Sequence, residues 1–289
     1  MKLSKMLTLL AAVLFVIAAP SGAQEAEIIA PESAQIGQPL VVELIAPKEA
    51  SGFKVFWLGK EASITPAPKE KYMLCRVVLG TDLLNAKAGT QEVIFSYEHM
   101  GVRQETGKTI DLQKKDYPSE KLKVAPAMVN PPKEQTERIN REARLAREAV
   151  RTNTPGFAPR LPLVRPVPGI FTSAYGKSRY YNGELRSRHG GVDMRAAVGT
   201  PVKAAADGIV VLTGDFWFSG KCVYIDHGAG LISFYGHMSK LQTEKGKKIK
   251  AGEVIGLSGQ SGRVTGPHLH FGLAWRGEYF DPESIMRKQ

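Results

Sequence analysis

Five of the six histidines of this 289-residue chain fall between His189 and His270. They come in a spaced pattern with a carboxylate: His189-Gly190-Gly191-Val192-Asp193, then Tyr235-Gly236-His237, then His268-Leu269-His270. Imidazole and carboxylate are the ligands zinc takes in catalytic sites, usually three from the protein with a fourth position left to water. The pattern offers more groups than three ligand positions need, which leaves something over for acid/base work. If His268-Leu269-His270 is a strand, its side chains alternate, so both imidazoles face one side and Leu269 the other. The same period puts His189 and Asp193 on a common face where that segment is extended, and Gly191 between them leaves room for a metal or substrate to approach. Such a pattern implies a metalloenzyme.

The elements that must position these residues read as short strands. Ile209–Leu212, Cys222–Ile225 and Leu231–Tyr235 are apolar core strands, with Asp207-Gly208 and His227-Gly228 as expected hairpin turns. That puts His227 in a turn, in a structural role. His99 stands alone and is expected as a surface or hydrogen-bonded histidine and not as a ligand.

The chain from Gly169 to its end resembles the lysostaphin/LytM-type zinc metalloendopeptidases, the murein endopeptidases built on the duplicated hybrid motif domain. The resemblance rests on Ser173-Ala174-Tyr175-Gly176, Asn182-Gly183, His189 through Asp193 and Gly199-Thr200-Pro201-Val202. It continues in Ala205-Ala206-Asp207-Gly208, Ile225-Asp226-His227-Gly228, Tyr235-Gly236-His237 and Gly266-Pro267-His268-Leu269-His270. It implies an antiparallel β-sheet domain with a groove across it. It also implies one Zn2+ per chain held by His189, Asp193 and His270, with His237 and His268 completing the catalytic site. No His-Glu-x-x-His sequence offers a helical glutamate as general base. The zinc would lower the pKa of its bound water to about 7, and the two remaining imidazoles would orient or deprotonate that water and protonate the departing amine. Many relatives carry two consecutive arginines after the aromatic-Gly pair, where this chain has Lys177-Ser178-Arg179. Arg179, Tyr180, Tyr181 and Asn182 are the expected substrate contacts on the groove wall.

The implied substrate is the peptide cross-link of bacterial peptidoglycan, through its stem peptides. D-Ala–diaminopimelate bonds are expected over glycine bridges from the general look of the chain. The alternative from another class is a non-catalytic envelope regulator that activates another wall hydrolase; such relatives typically lack one or more of the five site residues, and this chain keeps all of them. A sugar-transport-like carrier would share the fold, but an export signal and the metal set oppose it.

The remainder of the chain fits a cell-envelope protein. Lys2 and Lys5, an apolar run from Met6 to Ala19 and Pro20-Ser21-Gly22-Ala23 predict a cleaved signal peptide over residues 1–23. The run is too short for a comfortable membrane span. The mature chain is therefore expected without a transmembrane anchor, exported to the periplasm, the cell envelope or beyond. The formal charge is +11, or +9 once Lys2 and Lys5 are subtracted. This suits anionic wall polymer or lipid head groups; export argues against nucleic acid as a partner, and no nucleic-acid motif is seen. Cys75 and Cys222 are expected as buried free thiols, with an interdomain disulfide permitted by the compartment.

The fold class expected is all-β with one connecting helix. Residues 24–125 predict an immunoglobulin-like β-sandwich, with strands at Leu40–Ile45, Lys54–Leu58, Met73–Leu79, Gln91–Tyr97 and Lys121–Val124. Residues 126–168 predict a helix capped by Asn130, with a stripe of Ile139, Ala143, Ala146 and Val150 and exposed pairs Glu134–Arg138 and Glu137–Arg141, then a stiff proline-rich linker. Residues 169–289 are expected to form the endopeptidase domain. The N-terminal region, which carries no evident chemistry, is expected as an intramolecular cover over the groove or as a tether.

Overall fold

The structure, a computed structural model, describes residues 26–156 and 159–288; the signal expected over 1–23 lies outside the described residues. Among the described residues no helix is long and apolar enough to cross a membrane. The chain is built mainly of strands. In the N-terminal part, one sheet orders Glu27–Ile29, Leu40–Pro47, Tyr72–Leu79 and Ala67–Pro68. The other orders Ser33–Gln35, Val102–Gln113, Gly89–His99, Ser51–Trp57 and Lys60–Ser63. In Leu40–Pro47 the buried positions Leu40, Val42, Leu44 and Ala46 alternate with less buried ones, the period of a strand with one face on a core. They share that core with Val55, Trp57, Val93, Phe95, Ile110 and Leu112 of the second sheet.

Four expected strands form with small changes at their ends. The strand expected at Lys121–Val124 forms at Ser119–Leu122, but it does not complete the sandwich. It pairs in parallel with Ser178–Tyr181 of the C-terminal part, Glu120 lying opposite Arg179. Its polar Ser-Glu-Lys-Leu sequence has too few apolar residues to say which core it serves. The long strand Val102–Gln113 escaped the pattern because only Ile110 and Leu112 in it are buried.

The connecting helix runs over Thr136–Val150. Asn130 does not cap it: Asn130 ends a single turn at Pro126–Val129, and a 3-10 turn at Lys133–Gln135 leads into the helix. The buried face is also rotated from the expected stripe and comprises Glu142, Ala149 and Val150, with Leu145 and Ala146 packed against Phe216, Tyr224 and Phe234. Glu142 is admitted to this face because its carboxylate is fully engaged, accepting from Arg138 Nε at 2.6 Å and the Trp217 backbone N–H at 2.7 Å.

In the C-terminal part a sheet orders Phe171–Ser173, Val192–Arg195, His268–Trp275, Leu231–Leu241, Gly220–Asp226, Gly208–Phe216 and Lys248–Ile249, every neighbouring pair antiparallel. His227–Gly230 turns between two paired strands as expected. Asp207-Gly208 does not make a hairpin, since the strands before and after it pair with other partners. Gly208 is required for a different reason: a Cβ there would lie 2.4 Å from the Asp226 carbonyl oxygen. The proline-rich segment is not a free spacer, because Leu163 is buried and exchanges backbone hydrogen bonds with Ile285 and Arg287. The sandwich packs on the C-terminal sheet through the Tyr117–Tyr175 edge contact and the Asp281 N–H to Gly37 carbonyl bond. Cys75 and Cys222 are free and buried, and burial pushes both thiols up to about 12.

Candidate metal centre

Three adjacent strands carry most of the site. Asp193 stands directly opposite His270, and His270 directly opposite Gly236. This register brings Asp193 Oδ1 to 2.9 Å from His270 Nδ1, and His189, just before the Asp193 strand, places Nε2 3.0 Å from both. Leu269, between the two histidines of its strand, is fully buried on the opposite face.

The three atoms fit a cation. Donors at about 2.0–2.1 Å from a tetrahedral zinc lie about 3.3 Å apart, close to the spacing here, and two nitrogens with one carboxylate are a zinc donor set. His189 Nδ1 lies 2.8 Å from the Ala174 carbonyl, which can only accept, so Nδ1 carries the proton and the Nε2 lone pair faces the cluster. Burial would raise Asp193, but His189 and His270 outweigh it and hold its carboxyl well below the ordinary range. Burial, with His189 nearby, pushes His270 down to about 4. Gly191 serves the packing of this cluster rather than an open approach, since a Cβ there would lie 2.3 Å from the Phe271 carbonyl oxygen and 2.9 Å from His270 Nε2.

His237 and His268 lie beside the triad, with ring centroids 4.8 Å apart. Strand alternation alone would send His237 to the core face that Tyr235 occupies. Its φ of 63°, an uncommon conformation for a residue with a Cβ, turns the ring instead toward His268 and His270. Its Nδ1 donates to the Ser261 carbonyl at 2.9 Å, and His268 Nδ1 donates to the Gly266 carbonyl at 2.8 Å. Both Nε2 atoms are thereby left as acceptors. Burial, with His268 and His270 adding to it, pushes His237 down to about 3. His227 lies apart, buried between the Asp207 carbonyl and Ser233 Oγ at 2.7 Å each.

The four expected wall residues have different surroundings. Arg179 donates from Nη2 to Asp193 Oδ2 and from Nε to Glu120 Oε2. Tyr180 is half-buried on the same strand. Tyr181 is buried, its ring 4.2 Å from the Arg263 guanidinium. Asn182 sits in a turn and exchanges two hydrogen bonds with the Val124 backbone. Glu120 and Arg263 escaped sequence reasoning. Neither lies in a motif, and both reach the site only through the folded chain.

Residues 187–282 match the family described as Peptidase family M23. The chain is similar to the peptidoglycan DD-endopeptidase ShyA of Vibrio cholerae, 47% identical over 89 residues, which are 31% of this chain and 21% of the relative. It is also similar to the DD-carboxypeptidase/endopeptidase Mpg of Neisseria meningitidis, 40% identical over 97 residues, 34% of this chain and 22% of the relative. The match therefore spans about a fifth of the length of these curated relatives. A solved structure from Pseudomonas aeruginosa assigned to peptidase M23 superposes with a TM-score of 0.59 at 28% identity, covering 82% of this chain and 90% of that one.

Proposed function

We propose, on the match of residues 187–282 to peptidase family M23, that this chain is a zinc-dependent endopeptidase. Its substrate is the peptide cross-link of peptidoglycan, and the bond is D-Ala–diaminopimelate, as the DD-endopeptidase names of the relatives suggest. The observation that carries this reading is the convergence of His189 Nε2, Asp193 Oδ1 and His270 Nδ1. A regulator without catalysis has no observation in its favour, because all five groups are present and oriented.

His189, Asp193 and His270 would hold the metal. When bound, zinc supplies Lewis acidity and lowers the pKa of a coordinated water to about 7. The residues around it manage the protons. His237 and His268 each tie Nδ1 to a backbone carbonyl, so each presents an Nε2 lone pair to the site. Neutral, either ring can take the proton of the attacking water; charged, it can return that proton to the amine nitrogen as the peptide bond breaks. The burial that pushes His237 down to about 3 keeps it in the proton-accepting form at neutral pH. Tyr180 remains the wall residue best suited to meet a stem peptide, since Arg179, Tyr181 and Asn182 are committed to neighbours.

Export to the cell envelope follows from the substrate and the basic, apolar start of the chain. The N-terminal region acts as an intramolecular cover or as a tether, and the segment that supports a cover is the connector between residues 119 and 130. It follows the wall through Val124–Asn182, Asn130–Arg186 and the Met128 carbonyl 3.4 Å from Arg263 Nη1. Loosening it with Asn130→Ala and Asn182→Ala should raise the cleavage rate; unchanged or lower activity would remove the cover. The proposed function is tested by incubating the mature protein with purified peptidoglycan and weighing the released fragments. Uncross-linked stem peptides ending at D-Ala are expected; intact cross-links after prolonged incubation would refute it.

A further inference from the structure

The strand Ser119–Leu122 carries a carboxylate into the surroundings of the metal centre. Glu120 lies opposite Arg179 in the parallel pair, and their side chains meet with Arg179 Nε 3.1 Å from Glu120 Oε2. The same guanidinium reaches on to Asp193 Oδ2. Glu120 is held from two further sides, by Ser173 Oγ at 3.0 and 3.1 Å and by Lys177 Nζ at 3.1 Å. Side-chain exposures fall inward along this chain of contacts, from 19% at Glu120 to 12% at Arg179 and 9% at Asp193. A carboxylate on the segment that follows the sandwich is thus linked, through one guanidinium, to a candidate ligand.

Two physical consequences follow. A carboxylate free to rotate can present either oxygen, or both, to a cation. Here Oδ2 is taken by Arg179 and Oδ1 is the atom that faces His189 and His270. Arg179 also brings a fixed positive charge beside the place where a dication would sit, and in a partly buried site that charge opposes binding. Glu120 offsets it while fixing the direction in which the guanidinium points.

We propose that Glu120 is a positioning residue for the metal centre, acting through Arg179 to turn Asp193 Oδ1 toward His189 and His270. The inference rests on the zinc reading of the site. It also means that a chain beginning after the helix lacks a group that the centre uses, so such a chain cannot by itself distinguish a cover from a support.

The test uses the full mature protein, its Glu120→Gln and Arg179→Lys variants, the latter keeping the charge while losing the fork that bridges Glu120 and Asp193, and the double variant. Zinc dissociation constants are measured by competition with a chelator, and kcat and KM on a cross-linked muropeptide dimer. Groups that orient metal ligands typically change affinity by roughly 10–100-fold when removed. Each single variant should weaken zinc by that order and lower kcat more than it raises KM. The double variant should be no weaker than the worse single one, because both cut the same linkage. Lys121→Met, an exposed neighbour of Glu120 on the same strand, should hold zinc like the unmodified protein. Zinc affinity within twofold of the unmodified protein in Glu120→Gln overturns the inference and leaves the function standing. Should Glu120→Gln not fold, Arg179→Lys decides alone by the same criterion. A failure of the unmodified protein to bind zinc overturns both.

Discussion

Asp193 and His270 face each other across neighbouring antiparallel strands, with Asp193 Oδ1 2.9 Å from His270 Nδ1. The pair is set by strand register, so a one-residue slip would carry one partner to the opposite face of the sheet. The centre is therefore placed by the sheet itself, and substitutions around it should have separable effects.

His237 and His268 are not among the three converging donors. His237→Ala and His268→Ala should therefore keep zinc while turnover falls by roughly two to four orders of magnitude, the usual scale of general acid/base contributions. Metal analysis beside steady-state kinetics checks this; loss of zinc in either variant would make that residue a ligand.

Gly191→Ala should damage the centre without touching a ligand. The new Cβ would lie 2.3 Å from the Phe271 carbonyl oxygen and 2.9 Å from His270 Nε2, so the strands must part or the ring must move. Overpacking of this kind typically costs 1–3 kcal/mol. Thermal unfolding and chelator competition should both show a weaker protein, and an unchanged Tm would contradict the packing described.

Stability of the metal-free protein should fall as the pH is lowered. His237, His270 and His227 are all held below the ordinary histidine value of 6.5, the first two at about 3 and about 4. Such groups bind protons more readily in the unfolded chain. Their contribution is complete above 6.5 and is lost as pH falls toward the folded values. Unfolding followed from pH 7.5 to 5 should show a declining Tm, with a shallower decline in His237→Gln; a Tm that rises toward pH 5 would contradict the burial of these rings.

Neither thiol should react in the native protein. Cys75 and Cys222 are buried and pushed up to about 12, and the thiolate is the reactive form. A thiol-specific reagent should label both residues only after denaturation, and labelling at native conditions would contradict their burial.

Much of the centre was legible because its spacing is local. His268-Leu269-His270 declares its face by strand alternation, and His189 and Asp193 are four residues apart. His237 joins them only through a left-handed backbone conformation that no pattern announces. Glu120 was illegible for a deeper reason: its place depends on a parallel pairing with a strand almost sixty residues later, and its polar neighbours carry no periodic signal. The polar strand Val102–Gln113 hid for the same lack of signal. The helix start was misplaced because Pro131-Pro132 precedes a 3-10 turn, so the proline signal and the helix do not coincide.

Zinc content measured together with peptidoglycan cleavage in the unmodified protein and in His270→Ala tests the centre most directly. The unmodified protein should hold about one zinc per chain and release uncross-linked stem peptides, and His270→Ala should do neither. Full zinc retention by His270→Ala would contradict the assignment of His189, Asp193 and His270 as the ligands.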